Sequence, residues 1–222
     1  MSDANNQSRR ERLESARLYL VVDAGERGAA TLRWLPEALA AGIDIVQLRD
    51  KTLGEDALVA IGRRFRTACD HAGALLILND RPDLVAPIGA DGVHLGQDDG
   101  ELAAARELLG KAHLIGVSTH SPAQVEAAGR SPADYLGVGP VHETPTKPGR
   151  PAVGLELVEH ADAHARKPWF AIGGIDRDNA GAVVAAGARR IAVVRAIRDA
   201  ADPAAAAADL ERIVGGRVGA AL

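Results

Sequence analysis

The chain has 222 residues, 47% of them hydrophobic and 25% charged, with a formal net charge of −4. That make-up describes one ordinary folded domain and excludes a disordered chain. The negative balance and an aromatic content of only 3% argue against a polyanion-binding surface, so nucleic acid is not an expected partner. Cys69 is the only cysteine, which excludes an intramolecular disulfide or a cysteine zinc cluster and fits a cytoplasmic location.

Residues 1–17 are polar and carry Arg9, Arg10, Arg12 and Arg17. They lack the apolar stretch of a signal peptide and read as a frayed leader or a charged first helix. No apolar run approaches the roughly 20 residues of a membrane span, so no membrane partner is expected. Residues 18–222 read as one catalytic domain. Its first predicted strand is Leu18–Val22. The second, Ile43–Leu48, contains Gln47 and runs into Arg49, Asp50 and Lys51. A helical spacing follows at Leu58, Ile61, Phe65 and Ala68. The third predicted strand, Ala74–Leu78, ends on Asn79 and Asp80, and the fourth, Gly92–Leu95, is followed by Gln97, Asp98 and Asp99. Leu102, Ala105, Leu108 and Leu109 have helical spacing, closed by Gly110 as a C-terminal stop. The fifth predicted strand, Leu114–Val117, precedes Ser118, Thr119 and His120, after which Ser121-Pro122 reads as a helix N-cap with proline in the first turn. The sixth, Tyr135–Val138, leads to the hydroxyl-rich loop Thr144-Pro145-Thr146-Lys147-Pro148-Gly149. The seventh, Trp169–Ile172, ends on Gly173-Gly174. The eighth, Ile191–Val194, ends on Arg195, and the alanine-rich tail from Ala200, with Pro203 near its start, reads as the last helix.

Short, nearly continuous apolar runs are the pattern of strands buried on both faces, and parallel strands need crossover helices. The alternation therefore predicts an α/β fold, a single (β/α)8 TIM barrel, with a doubly wound open sheet as the alternative. In a barrel the residues just after each strand converge on one face, where sites of this fold are built.

Asp80 and Asp99 fall in consecutive loops of that face. Two hard carboxylates beside cations suit Mg2+ shared with substrate phosphates, and the competing reading is that they cap the following helices. Arg49, Lys51 and Lys147 supply cations able to hold a diphosphate and stabilise it as a leaving group, or else a solvated charge ring. The 144–149 loop reads equally as a lid or a surface loop. Gly173-Gly174 with Val194-Arg195 matches the phosphate site of such barrels; a plain tight turn is the alternative. His160 and His164 have the i, i+4 spacing of a metal pair but no third ligand, so a structural role is favoured. His94 lies inside a strand. His120 reads as a structural imidazole or an acid/base group. No Ser–His–Asp order or activated cysteine is evident. The combined pattern is a double-phosphate site, suited to group transfer from a diphosphate ester to a phosphorylated acceptor.

Six motifs carry a resemblance: Val46-Gln47-Leu48-Arg49-Asp50-Lys51, Leu78-Asn79-Asp80-Arg81, Gly89 through Asp99, Gly116-Val117-Ser118-Thr119-His120, Gly139-Pro140 leading to Thr144-Pro145-Thr146-Lys147, and Ala171-Ile172-Gly173-Gly174-Ile175. In this order, from about Leu18 to Ile197, the chain resembles the thiamine phosphate synthases. That family joins an aminomethylpyrimidine methyl diphosphate to a thiazole phosphate, or its carboxylated form, and releases pyrophosphate. The resemblance implies Mg2+ held with Asp80 and Asp99. It implies diphosphate and pyrimidine contacts from Gln47, Leu48, Arg49, Asp50, Lys51, Asn79, Ser118 and Lys147, with Arg49, Lys51, Ser118 and Lys147 as the catalytic group. It places the thiazole phosphate on Thr144, Pro145, Thr146, Gly174, Val194 and Arg195. The family is thought to ionise the pyrimidine C–O bond first, so no general base is required. Arg195 departs from the serine often found there; its guanidinium is expected to hold the thiazole phosphate bidentately, the alternative being that it points outward and the backbone N–H makes the contact.

Two rivals are a thiazole tautomerase of the same barrel, working through His120 without a diphosphate, and a non-catalytic regulator that binds thiamine precursors. A dinucleotide dehydrogenase is poorly supported, since no G-x-G-x-x-G follows the first strand. The expected partners are small molecules, with a homo-oligomer left open.

Overall fold

The computed structural model describes residues 3–25, 27–98, 100–144 and 151–216. Eight parallel strands close on themselves in sequence order: β1 Leu18–Asp23, β2 Ile45–Arg49, β3 Leu75–Asn79, β4 Gly92–Leu95, β5 Leu114–Thr119, β6 Tyr135–Val138, β7 Trp169–Ile172 and β8 Ile191–Val193. β1 pairs with both β2 and β8. That closure is the predicted (β/α)8 barrel and removes the open-sheet alternative.

Helices α1 Asp3–Ser15, α2 Gly28–Ala40, α3 Glu55–Ala72, α4 Val85–Ile88, α5 Leu102–Leu109, α6 Pro122–Gly129, α7 Gly154–His164, α8 Ala180–Ala185, α9 Arg195–Arg198 and α10 Pro203–Gly215, with a 3-10 helix at Pro82–Leu84, complete the described elements. The predicted punctuation operates as read. Ser121 Oγ accepts from the Gln124 amide at the start of α6, and Gly110 ends α5 at φ 64°. The ends of β1, β2, β3, β5 and β8 differ from the expected ones by one or two residues, so that Asn79, Ser118 and Thr119 belong to strands, and at β2 the cause is visible. Asp44 Oδ2 accepts from the Arg17 and Leu18 amides at 2.7 and 3.0 Å, so Ile43 and Asp44 form a short connection clamped to the start of β1, and β2 begins at Ile45.

Strand alternation sorts the apolar residues into two layers. Leu20, Val46, Leu48, Leu76, Val93 and Leu136 face the helices and pack there with Leu35, Phe65 and Val158. Tyr19, Val21, Ile45, Leu75, Ile77, Tyr135 and Phe170 fill the barrel interior. Cys69 lies in the outer layer, fully buried, and burial pushes its thiol up to about 12 against a smaller opposing pull from Arg66.

The polar leader is helical, and it belongs to the barrel. Leu13 and Ala16 pack into the interior cluster, while its arginines grip carboxylates at the N-terminal end of the strands. Asp91, 4% exposed, meets Arg9 Nε at 2.8 Å and Arg12 Nη2 at 3.4 Å from α1, and Arg66 Nη1 at 2.5 Å from α3. Its Oδ2 also accepts from the Leu76 amide at 2.9 Å. Arg10 and Arg106 share Asp134 in the same way, at 2.7 and 2.5 Å. Burial pushes the Asp91 carboxyl up, but Arg66, Arg9 and the Leu76 amide outweigh it and hold the group below its ordinary value.

Removing one partner of a buried ionic cluster strands the others without compensation, at a cost of about 3–5 kcal/mol. Asp91→Asn is therefore expected to lower unfolding free energy by about 3 kcal/mol in a urea titration. A depressed folded-state pKa contributes stability that is present above the ordinary carboxylate value and is lost as pH falls through the folded one. The wild type should thus lose stability more steeply than Asp91→Asn below about pH 4.

Candidate active site

At the C-terminal mouth, β2 and β3 bring the first group of predicted residues together. Arg49 ends β2 opposite Asp23 of β1; it is half-buried, and its Nε has no hydrogen-bond partner among the described residues. Lys51 reaches out from the next turn, exposed, with Nζ 3.9 Å from Asp80 Oδ2. Asn79 ends β3 and donates from Nδ2 to the same carboxylate oxygen at 2.5 Å. Asp80 follows in the left-handed region at φ 60°, a conformation that costs a non-glycine residue about 1–3 kcal/mol and clusters at functional sites. Its amide is fixed by the His94 carbonyl at 3.0 Å.

Not every residue of the predicted 47–51 run faces this corner. Leu48 is 2% exposed and packs against the helical layer, because alternation along β2 turns it away from its neighbours Gln47 and Arg49. Asp50 Oδ1 accepts from the amides of Thr52 and Leu53, both at 2.7 Å, and from Thr52 Oγ1. Burial raises this carboxyl, but the turn amides of Leu53 and Thr52 together hold it below its ordinary value. Its evident task is to shape the turn that presents Lys51. Gln47 is 5% exposed, inside the barrel, with its amide on Tyr19.

Across the mouth, the ends of β5 to β8 surround a cavity of about 330 Å³ lined by Ser118, His120, Thr144, Gly174, Val194 and Arg195, among others. His120 is fixed by a hydrogen bond between Nδ1 and the Gly139 carbonyl. Gly173 has φ 106°, and a Cβ there would sit 2.4 Å from Pro140 Cβ, so only glycine lets this turn close against the β6 loop. Arg195 is exposed, and its guanidinium makes no hydrogen bond to another described residue. Asp99, Pro145, Thr146 and Lys147 lie outside the described residues. His160 and His164 stack on α7 with ring centroids 4.2 Å apart, far from a ligand set: no group of three or more His, Cys, Asp or Glu able to hold a metal occurs among the described residues.

Sequence reading missed a polar row through the barrel interior. Gln47, Tyr19, Tyr135, His94 and Ser118 are linked consecutively by hydrogen bonds, from β2 through β1, β6 and β4 to β5. The available signal was position: each occupies an inward slot of its strand. Space for the row comes from Gly116, where a Cβ would lie 2.1 Å from the Tyr135 ring and 2.5 Å from His94 Nδ1.

Three comparisons place this architecture among known proteins. The family model described as thiamine monophosphate synthase matches residues 18–197. The thiamine-phosphate synthase of Thermobifida fusca is 54% identical over 206 residues, which cover 91% of this chain and 94% of the relative. That of Acidothermus cellulolyticus is 50% identical over 199 residues, covering 89% and 94%. Among solved structures, the thiamine phosphate pyrophosphorylase from Pyrococcus furiosus superposes with a TM-score of 0.83 at 32% identity, covering 95% of this chain and 99% of that one.

Gly116→Ala forces a methyl group into the interior row, and overpacking of this kind costs about 1–3 kcal/mol. The variant is expected to lose stability on that scale in a denaturant titration and to show altered tyrosine signals in near-ultraviolet circular dichroism.

Proposed function

The chain belongs to the thiamine monophosphate synthase family, and we propose on that premise that it joins an aminomethylpyrimidine methyl diphosphate to a thiazole phosphate, giving thiamine phosphate and pyrophosphate. As a member it is a transferase. The observation that carries the assignment of substrates is the division of the mouth into two corners. One, at β2 and β3, gathers Arg49, Lys51, Asn79 and Asp80; the other, at β5 to β8, is a cavity with glycine turns and Arg195 at its edge.

In this reading the diphosphate lies in the first corner and extends to Ser118, on the wall shared with the second. Arg49 meets it with a buried guanidinium edge that has no described partner, and Lys51 adds an ammonium, so charge developing on the departing oxygen is stabilised by groups already in place. The C–O bond breaks with its electron pair on the diphosphate, and the thiazole nitrogen supplies the pair for the new C–N bond. That nitrogen has no proton to lose, which accords with a site needing no general base. The second corner aligns the acceptor by its phosphate, with the backbone of Gly174 and Val194 and the Arg195 guanidinium as its ligands. Alignment of two bound rings is itself a large part of the acceleration. Thr144 lines this corner, and Pro145, Thr146 and Lys147 complete the proposal from outside the described residues. The carboxylated thiazole is an acceptor of the same shape class.

Mg2+ fits the donor chemistry here. Asp80 offers hard carboxylate oxygen at the rim, beside a cation and a carboxamide, and Mg2+ takes few protein ligands when phosphates supply the rest. Asp80 and Asp99 would hold it. When bound it would neutralise diphosphate charge. No helix among the described residues is long and apolar enough to cross a membrane; a cytoplasmic location belongs to this reading.

The test mixes the protein with both substrates and Mg2+ and follows thiamine phosphate by mass spectrometry. Product should form, and should vanish with EDTA and in Asp80→Ala. Ligand-induced rise in melting temperature without product would instead make the chain a binding module. For the acceptor corner, Arg195→Ser is expected to raise KM for the thiazole phosphate roughly tenfold with little change in kcat; an unchanged KM would leave the backbone as the phosphate ligand.

A further inference from the structure

We infer that the interior row is a one-way hydrogen-bond relay in which Gln47, at one wall of the barrel, fixes the tautomer of His94 and thereby makes Ser118 a donor into the site. The bonds run Gln47 Nε2 to Tyr19 Oη at 2.7 Å, Tyr19 Oη to Tyr135 Oη at 3.0 Å, Tyr135 Oη to His94 Nδ1 at 3.2 Å, and His94 Nε2 to Ser118 Oγ at 3.0 Å. Their direction follows from the donor inventory. An amide nitrogen only donates, while a phenol has one proton. Burial raises both Tyr19 and Tyr135 above the ordinary phenol value, so both keep that proton.

Tyr19 accepts from Gln47 and must spend its proton on Tyr135, and Tyr135 must spend its own on His94 Nδ1. With Nδ1 accepting, a neutral imidazole carries its proton on Nε2 and gives it to Ser118 Oγ. The one proton left at the end of the row is that of the Ser118 hydroxyl. Ser118 is 9% exposed and lines the mouth cavity, and its backbone carbonyl is held by Gln97 Nε2 at 2.5 Å, so the main chain that carries the hydroxyl is fixed, and with Oγ accepting from His94 the hydroxyl proton is left for a ligand in the cavity. If Gln47 presented its oxygen instead, every link would reverse, and Ser118 would spend its proton on His94 and offer only lone pairs to a ligand. An anionic leaving group needs the donor state.

His94, Tyr19 and Tyr135 are thus positioning residues that act through Ser118. The kinetic part of this inference rests on the proposed synthase reading, but the tautomer does not. Long-range 1H–15N NMR spectra of protein labelled at histidine, with the His94 signals assigned from His94→Gln, should show a single Nε2–H tautomer in the free wild type. Tyr19→Phe, which removes one hydroxyl and keeps the ring packing against Phe170, should give a mixture of tautomers. It should lower kcat roughly tenfold with KM for the diphosphate within about twofold, the pattern of a lost transition-state interaction. In a Ser118→Ala background the same substitution should have no further effect on kcat. An Nδ1–H tautomer in the wild type would overturn the relay, as would an effect of Tyr19→Phe that persists undiminished without Ser118. Should Tyr19→Phe fail to fold, the wild-type tautomer alone decides. A chain that made no thiamine phosphate but held His94 as Nε2–H would refute the substrate assignment and leave the relay standing.

Discussion

Burying a carboxylate costs several kcal/mol unless cations surround it, and Asp91 meets that requirement with three arginines drawn from α1 and α3. The consequences spread through the fold. The Leu76 amide and the start of β4 are anchored to the same group, α1 is held across the N-terminal end of the strands, and Leu13 and Ala16 seal the interior apolar cluster from below. Charge pairing and packing thus cover that end of the barrel. The Asp134 cluster repeats the arrangement at β5 and β6, so the closure does not hang on one helix contact.

A barrel closed at one end can hold polar groups that an open one could not. Tyr19 and Tyr135 are almost fully buried, and their hydroxyls would carry a desolvation penalty of a few kcal/mol if unpaired. Linking them to Gln47 and His94 satisfies each in turn, and it ties side chains from five strands into one unit. The rigid interior then sets the positions of Ser118 and, through the adjoining strand ends, of Asn79 and Asp80. Stability and chemistry are divided between the two ends of the same strands, as is general for this architecture.

Much of this was legible in the residues because local rules dominate there. Gly92–Leu95, Tyr135–Val138 and Trp169–Ile172 are strands with the boundaries that their apolar runs predict. The rim residues Arg49, Asn79, Asp80 and Ser118 were found by one criterion, polarity at the end of an apolar run, and the structure puts all of them at the mouth or its wall. Within the 47–51 motif, Leu48 came from the resemblance and not from that criterion. A shared motif weighs consecutive residues alike, whereas alternation turns the Leu48 side chain to the helical layer and the Asp50 carboxylate binds the amides of its own turn. What stayed hidden depends on distant partners. Arg9 meets a carboxylate 82 positions away and Arg10 one 124 away, so the charge run reads as a frayed leader or a charged first helix, and nothing local shows that it is the helix or what its arginines meet. Tyr19, His94 and Tyr135 sit in apolar runs that read as core, and only barrel register brings β1, β4 and β6 side chains into line.

The sealed thiol of Cys69 has a practical corollary for watching this molecule move. The sequence contains one cysteine, and it is both buried and held protonated at neutral pH, so thiol-directed reagents find no reactive site in the native fold. A cysteine placed at an exposed position such as Leu108 would therefore be the sole target for a maleimide dye or spin label. The wild-type background is already suited to single-site labelling, and the mobility of the outer helical wall could be followed during turnover without first removing any native residue.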